Sequence, residues 1–183
     1  MKRLLLMTGS IACAKATSLI SEWVKQGDEV KVVCSPGALN FVGLATLEGL
    51  SQQKVMTSTY AADAMMDHIH VSRWADQIIL CPATANVINK LAAGIADDVV
   101  TTVWIAAYSH AQGSEHQQSK PMLIVPAMNT MMWQYPATQN SIKTLRQWGV
   151  SVMHPDAGLL ACGESGDGRM PEIAAILKQA EQQ

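Results

Sequence analysis

The chain has 183 residues, the usual size of one compact domain. Hydrophobic residues make up 49% of it and charged residues 15%, against an average of about 25% charged. This composition excludes a disordered chain and favours extra burial between subunits. The formal net charge is -2 without a basic run, so we expect a single oligomeric domain over residues 1–183 that binds neither nucleic acid nor a membrane.

The lack of a long apolar segment and the pattern of the cysteines both predict a reducing compartment. The longest early apolar stretch covers residues 4–7, and no segment approaches the roughly 18 apolar residues of a membrane-spanning helix. Four cysteines are scattered without a CxxC or a metal-ligand spacing: Cys13, Cys34, Cys81 and Cys162. We therefore expect a cytoplasmic protein without a metal site, in which the first three thiols are packing residues.

The chain begins with the strand, turn and helix of an α/β protein. Residues 2–8 are an apolar run that ends at Gly9 and Ser10, and residues 11–26 carry apolar side chains at helical intervals. A second β-branched run covers residues 29–34, and Pro36 follows it at a position that suits the first turn of a new helix. These patterns predict a βαβ unit.

The later apolar runs do not alternate with polar residues, which is typical of strands covered on both faces. We predict strands at residues 78–81, 122–125 and 150–153, and helices at residues 85–93, 99–107, 138–148 and 171–180. Strands and helices in this order predict a doubly wound, three-layer sandwich around a parallel sheet.

One segment differs in composition from its surroundings. Residues 109–120 (SHAQGSEHQQSK) are polar and rich in glutamine, which predicts an exposed and mobile connection between a helix and a strand. His110 and His116 could be ligands, but we interpret them as solvated loop residues.

Polar turns follow the predicted strands at the edge where open parallel sheets bind ligands. They are residues 9–11 (GSI), 35–37 (SPG), 82–86 (PATAN) and 126–129 (PAMN). Each turn alone is weak evidence, because such turns commonly follow strands. Neither GxGxxG nor GxxxxGK[ST] is present, so the turns favour a mononucleotide with one phosphate over a dinucleotide or a nucleoside triphosphate.

Two other segments carry groups that can exchange protons. Residues 68–76 (HIHVSRWAD) place His68 and His70 before the third strand; the alternative is that His68 caps a helix or loop and Trp74 fills the core. Residues 161–170 (ACGESGDGRM) contain three glycines within six residues, which predicts a flexible flap instead of a packed element. Cys162 on this flap is a candidate proton donor or nucleophile, or else an incidental surface cysteine.

Five motifs in order resemble one known family over nearly the whole chain. They are GSIAxxKA, HIxVxxWAD, PATANxxxKxAxGxADD, PAMNTMMW and ACGxxGxGRM, and they resemble the homo-oligomeric flavin-containing cysteine decarboxylases. The resemblance implies a flavodoxin-like (Rossmann-like) fold, FMN bound between subunits, and homotrimers, with a dodecamer as the larger assembly. It further implies decarboxylation of 4'-phosphopantothenoylcysteine to 4'-phosphopantetheine in coenzyme A biosynthesis.

The resemblance also assigns residues. His68 matches the active-site histidine, Asn129 the asparagine that binds the substrate carboxylate, and Cys162 the flap cysteine that protonates the last intermediate. Leu159, Ala161 and Met170 match positions where the flap contacts substrate. The FMN-binding positions are Gly9, Ser10, Ile11, Ser35, Thr84, Ala85, Asn86, Val87 and Ala127.

Several features depart from the family pattern. His70 stands where the family commonly has Glu, Cys13 and Ala14 replace a small-aromatic pair, and Asp98 replaces a frequent Asn. The segment 109–120 is longer than expected, which affects surface contacts or assembly more than chemistry. Many bacterial relatives carry a fused synthetase after this domain, whereas this sequence ends at Gln183, so we expect a separate ligase.

In the implied mechanism, oxidised FMN takes a hydride from the thiol-bearing carbon, and the resulting thioaldehyde accepts electrons when carbon dioxide leaves. Reduced FMN then returns the hydride to the enethiol and Cys162 supplies the proton, so that there is no net redox change. One alternative resembles the lantibiotic-peptide decarboxylases, which release the enethiol; Cys162 argues against it. A second is a non-catalytic regulatory flavoprotein, whose long acidic extensions are not seen here. A flavin prenyltransferase is the least favoured, since it requires neither PAMN nor the flap cysteine.

Overall fold

The computed structural model describes residues 1–60, 65–111 and 120–183. The strands are β1 (Lys2–Met7), β2 (Glu29–Cys34), β3 (Gln77–Ala83), β4 (Met122–Pro126), β5 (Ser151–Val152), β6 (Asp156–Leu159) and β7 (Ser165–Arg169). The helices are α1 (Cys13–Lys25), α2 (Leu44–Ser51), α3 (Asp67–Trp74), α4 (Ala85–Ala92), α5 (Val99–Ala111), α6 (Thr130–Gln134), α7 (Pro136–Gln147) and α8 (Ile173–Glu181).

The main sheet has five parallel strands in the order β2-β1-β3-β4-β5. This is the flavodoxin-like order, in which the strand order reverses between β1 and β3. The predicted parallel sheet and fold class are confirmed. Strands β6 and β7 form a separate antiparallel hairpin.

The central strands bury side chains on both faces of the sheet. In β1, Leu4 and Leu6 pack in one core with residues of α3, α4, α5 and α7, while Leu5 and Met7 pack in a second core with residues of α1, α2 and α8. All four side chains are fully buried, and each contributes about 1.5–3 kcal/mol of burial free energy. Burial on both faces explains why the strand sequences do not alternate.

Several predicted helix bounds shift. Helix α1 begins at Cys13, because residues 11–12 belong to the turn after β1, and the Ile11 side chain is 64% exposed. Helix α7 begins at Pro136, which suits the first helical position. Helix α5 continues four residues past the predicted end at residue 107.

Short elements were not predicted. Helices α2, α3 and α6 have eight, eight and five residues. The apolar residues of α2 and α3 do not gather on one face as those of the equally short α4 do, and α6 is too short to show a helical period. After Pro36 the chain forms only a 3-10 turn, Ala38–Asn40. The predicted connection at 109–120 lies largely outside the described residues; at its end, Lys120 Nζ donates hydrogen bonds to the carbonyls of Ser72 and Arg73.

A buried polar network lies near the amino ends of the strands. Arg3 is 4% exposed; its guanidinium bonds Asp28 and Gln77 and lies 5.1 Å from the ring centroid of Trp23. Burial alone would raise the pKa of the Asp28 carboxyl, but hydrogen bonds from the N-terminal ammonium and Arg3, together with their charges, lower that pKa on balance. The network ties β1 to β3 at the end of the sheet opposite the predicted site.

Among the described helices, none is long and apolar enough to cross a membrane.

Candidate active site

The polar turns meet at the carboxyl edge of the sheet, as predicted. The turns after β1 and β2 touch backbone to backbone: a Cβ at Gly9 would lie 3.0 Å from the carbonyl carbon and oxygen of Gly37. The ends of β1 and β3 are joined by Thr8, whose Oγ1 donates to the Pro82 carbonyl at 2.7 Å and accepts from the Thr84 amide at 3.2 Å. These contacts hold the turns as one rigid platform.

One cleft at this edge, which we call the polar cleft, has a volume of about 370 Å³. It is lined by Thr8, Gly9, Ser35, Pro36, Gly37, Thr84, Asn86, Val87, Asp98 and Met132. Helix α4 begins there, and the Thr84 side chain caps it by accepting from the Val87 amide at 3.4 Å. The Asp98 carboxylate accepts from the Thr101 amide at 2.9 Å, at the start of α5. Hydroxyls and amides at a helix N-terminus are suited to a phosphate group.

A second cleft, the hairpin cleft, lies between the turn after β1 and the β6–β7 hairpin, with a volume of about 480 Å³. Its lining residues are Ser10, Ile11, Ala12, Lys15, Ala127, Met128, Asn129, Leu159, Leu160, Ala161, Cys162, Gly168, Arg169 and Met170. Both clefts draw residues from the turn 9–11, so they are adjacent.

The hairpin corrects the prediction that the flap is not a packed element. Residues of the flap form strand β7, which pairs with β6 and docks on the turn after β4. The Met128 amide donates to the Gly168 carbonyl at 2.9 Å, and a Cβ at Gly168 would lie 2.2 Å from the Met128 oxygen. At Gly166 a Cβ would lie 2.5 Å from Thr130 Oγ1. The glycines therefore permit close docking; their number alone had suggested only flexibility.

Asn129 joins this turn to the tip of the hairpin. Its Oδ1 caps α6 by accepting from the Met131 amide at 2.8 Å, which directs Nδ2 toward the hairpin. Nδ2 donates to Glu164 Oε2 at 2.9 Å and to Cys162 Sγ at 3.4 Å. The thiol in turn donates to Glu164 Oε2 at 3.6 Å. The structure thus brings Asn129 and Cys162 together, and it adds Glu164, whose only sequence signal was its place within the glycine-rich motif.

His68 lies apart from these groups. It is the second residue of α3 and lines neither cleft. Its Nδ1 is buried and has no hydrogen-bond partner among the described residues. His70 is 70% exposed, and its Nδ1 lies 3.6 Å from Asp67 Oδ1. Trp74 packs partly buried against the core, as the alternative interpretation expected.

The other predicted site residues divide between the two clefts. Of the cofactor positions, Gly9, Ser35, Thr84, Asn86 and Val87 line the polar cleft, and Ser10, Ile11 and Ala127 line the hairpin cleft. Ala85 lines neither, because it is the buried first residue of α4. The substrate positions Leu159, Ala161 and Met170 line the hairpin cleft, but Met170 is 2% exposed, with Sδ 3.5 Å from Cys81 Sγ.

The four thiols fall into two classes, as predicted. Burial raises the pKa of the Cys34 thiol to about 12 and also raises the pKa of Cys13 and of Cys81, so these groups stay protonated and unreactive. Cys162 is exposed in the hairpin cleft.

Sequence comparisons identify relatives over the whole chain. The family model described as Flavoprotein matches residues 1–183. The coenzyme A biosynthesis bifunctional protein CoaBC of Bacillus subtilis (strain 168) is 42% identical over 180 residues, covering 97% of this chain and 42% of that protein. CoaBC of Mycobacterium tuberculosis (strain ATCC 25618 / H37Rv) is 36% identical over 175 residues, covering 96% and 39%. The chain spans about two fifths of the length of these relatives.

Solved structures match over nearly their full length. A mutant PPC decarboxylase complexed with pantothenoylaminoethenethiol has a TM-score of 0.80 at 28% identity, covering 99% of this chain and 96% of that one. The peptidyl-cysteine decarboxylase EpiD has a TM-score of 0.78 at 30% identity, covering 98% of each chain. The FMN binding protein AtHal3 has a TM-score of 0.76 at 28% identity, covering 99% and 95%.

Proposed function

We propose, because this chain belongs to the Flavoprotein family, that it is an FMN-dependent decarboxylase. It converts 4'-phosphopantothenoylcysteine to 4'-phosphopantetheine in the cytoplasmic synthesis of coenzyme A. The observation that carries this function is the pair formed by Asn129 Nδ2 and Cys162 Sγ, 3.4 Å apart in one cleft. An amide donor can bind the substrate carboxylate and a thiol can supply the proton of the last step, so this pair suits a decarboxylation in which FMN would supply the two-electron chemistry.

The platform of turns fits FMN. The polar cleft offers amides and hydroxyls to a single phosphate, from the turns that contain Gly9, Ser35, Thr84 and Asn86. The neighbouring hairpin cleft is walled by apolar residues, among them Ile11 and Ala127, which suit an aromatic ring. Bound FMN would supply the two-electron chemistry that the protein's own side chains lack.

The protein's side chains bind the substrate and move protons. Asn129 is held by its bond to the Met131 amide, so its Nδ2 meets the substrate carboxylate in a fixed orientation. Cys162 gives its thiol proton to carbon at the last step, beside that same amide. The docked hairpin, with Leu159 and Ala161, covers the reacting groups and excludes water.

His68 enters the proposal through a second subunit. It carries a buried ring nitrogen without a described partner and lines neither cleft of its own chain. In a homotrimer with FMN between subunits, His68 of one copy serves the clefts of the next and assists proton transfer at the substrate thiol. A dodecamer of four such trimers is the larger assembly.

The second candidate is a peptidyl-cysteine decarboxylase, favoured by the 30% identity with EpiD over 98% of both chains. The two functions share carbon dioxide release and differ in the fate of the enethiol. The exposed thiol of Cys162 in the hairpin cleft favours the reductive reaction.

The test begins with the purified protein. We expect it to be yellow, to release FMN and not FAD on denaturation, and to convert phosphopantothenoylcysteine to carbon dioxide and phosphopantetheine. A colourless protein that does not bind added FMN, or a yellow one that releases carbon dioxide only from cysteine peptides, would refute this function.

A further inference from the structure

Two cations converge on one carboxylate at the rim of the hairpin cleft. Lys15 lies in the first half of α1, and Arg169 is the last residue of β7. Lys15 Nζ lies 2.8 Å from Glu172 Oε2, and Arg169 Nη2 lies 3.4 Å from Glu172 Oε1. Each cation therefore holds a different oxygen of the same anion, an arrangement that also fits the oxygens of a phosphate.

We propose that Lys15 and Arg169 form the subsite for the phosphate of the substrate, and that Glu172 holds the two cations in place while the subsite is empty. This inference rests on the proposed function, because it assigns the second anionic group of 4'-phosphopantothenoylcysteine. Asn129 receives the carboxylate at one part of the cleft, and the cation pair receives the phosphate at another.

The distribution of charge favours different sites for the phosphate of FMN and the phosphate of the substrate. Among the described residues that line the two clefts, Lys15 and Arg169 are the cations, and both belong to the hairpin cleft. The polar cleft, where FMN phosphate is placed, offers amides and hydroxyls and one carboxylate, Asp98. The cation pair is thus left for an anion that enters with the substrate.

Exposure permits the exchange of one anion for another. The side chains of Lys15 and Arg169 are 36% and 46% exposed, whereas that of Glu172 is 58% exposed. The hydrogen bond and charge of Lys15 lower the pKa of the Glu172 carboxyl, so it is anionic at neutral pH. A phosphate dianion carries more charge than this carboxylate and can displace it into solvent.

The experiment compares phosphorylated and unphosphorylated pantothenoylcysteine with the FMN-loaded enzyme. The variants are Lys15→Met, which keeps the apolar stem, Arg169→Met, and Lys25→Met as the matched control. Lys25 lies on the same helix and pairs with Glu22 at the same 2.8 Å distance, but it does not line the cleft. Steady-state rates give KM and kcat for each substrate.

We expect the wild type to have a KM about tenfold or more lower for the phosphorylated substrate, since charge-assisted hydrogen bonds are involved. Lys15→Met and Arg169→Met should raise that KM about tenfold and should change the KM of the unphosphorylated substrate much less. Lys25→Met should change neither. Glu172→Gln should lower the KM of the phosphorylated substrate, because it removes the anion that competes for Lys15; Arg169 keeps a longer contact of 3.8 Å with Asp156.

Two other outcomes would contradict the proposed phosphate subsite. Equal KM values for both substrates in the wild type, or an equal rise for both in Lys15→Met, would show that the cations do not recognise phosphate. Failure of the wild type to decarboxylate either substrate would instead refute the proposed function, so the two failures are distinguishable.

Discussion

Asn129 donates a hydrogen bond from Nδ2 to the Glu164 carboxylate at 2.9 Å, across the gap between the turn after β4 and the tip of the hairpin. In the proposed function, Asn129 Nδ2 donates to the carboxylate of the substrate. In this structure the same donor is used by a carboxylate of the protein, that of Glu164. The contact also explains why the hairpin tip lies over the cleft: one amide binds Glu164 and Cys162 at once. Substrate binding must therefore replace the bond to Glu164.

Asn129→Asp should lower kcat/KM at least about a hundredfold while FMN remains bound. The change removes a hydrogen bond to a charged group, worth about 1.5–3 kcal/mol, and adds repulsion toward both Glu164 and the substrate. Carbon dioxide release and flavin absorbance measure the two effects. Asn140→Asp on the exposed face of α7 is the matched control and should be fully active; full activity in the Asn129 variant would remove this residue from the substrate site.

Cys162→Ser should still release carbon dioxide but should fail to complete the reduction. Serine has nearly the same size, yet its hydroxyl is a far weaker acid than a thiol. The expected products are an enethiol and a bleached flavin, detected by mass spectrometry and by the loss of yellow colour. Formation of phosphopantetheine at the normal rate would show that another group delivers the proton.

His68→Asn should abolish carbon dioxide release and retain FMN, because the proposed role is proton transfer. His70→Asn is the control two residues away; its side chain is 70% exposed and pairs only loosely with Asp67 at 3.6 Å. The control should keep wild-type turnover. An inactive His70 variant beside an active His68 variant would mean that the two histidines have been assigned the wrong way round.

Gly168→Ala should displace the hairpin. The new Cβ would lie 2.2 Å from the Met128 oxygen, at a backbone φ of 145° that side chains rarely adopt. Such overpacking typically costs about 1–3 kcal/mol, so we expect a lower Tm together with lower turnover. Gly49→Ala in α2 meets no atom within 4 Å, and it should stabilise the protein by about 0.5–1 kcal/mol. An unchanged Tm and rate in Gly168→Ala would contradict the docked hairpin.

Stability should fall on the acid side through Asp28. Its folded-state pKa is lowered, so its contribution is fully present above the unfolded value of about 3.9 and is lost as pH falls through the lower folded value. Urea unfolding between about pH 3 and 7 should therefore show a flatter acid slope for Asp28→Asn than for the wild type. Asp97→Asn is the comparison: the hydrogen bond from Lys90 also lowers the pKa of Asp97, but the Asp97 side chain is 52% exposed, so its effect on the slope should be smaller.

The strands of the sheet and the edge at which the candidate site lies could be predicted from the residues alone. Apolar runs without alternation, such as residues 78–81, predict burial on both faces of the sheet. Successive side chains of a strand point to opposite faces, so a continuous apolar run places apolar side chains on both. The position of a turn after a strand likewise predicts the ligand edge, since parallel strands share one carboxyl edge. The motif residues Asn129 and Cys162 were predicted as partners in one site, and the structure places them 3.4 Å apart.

The contacts between distant charges and the role of the glycines could not be predicted, because both depend on how the chain packs in three dimensions. Lys15 and Glu172 are separated by 157 residues along the chain, and no local pattern encodes a contact that depends on how α1 and α8 pack on one face of the sheet. The glycines of residues 163–168 fit a flexible loop and a closely docked hairpin equally well. At Gly168 the Met128 carbonyl leaves no room for a side chain. This steric requirement comes from the neighbouring segment of the chain and cannot be read from the glycine itself.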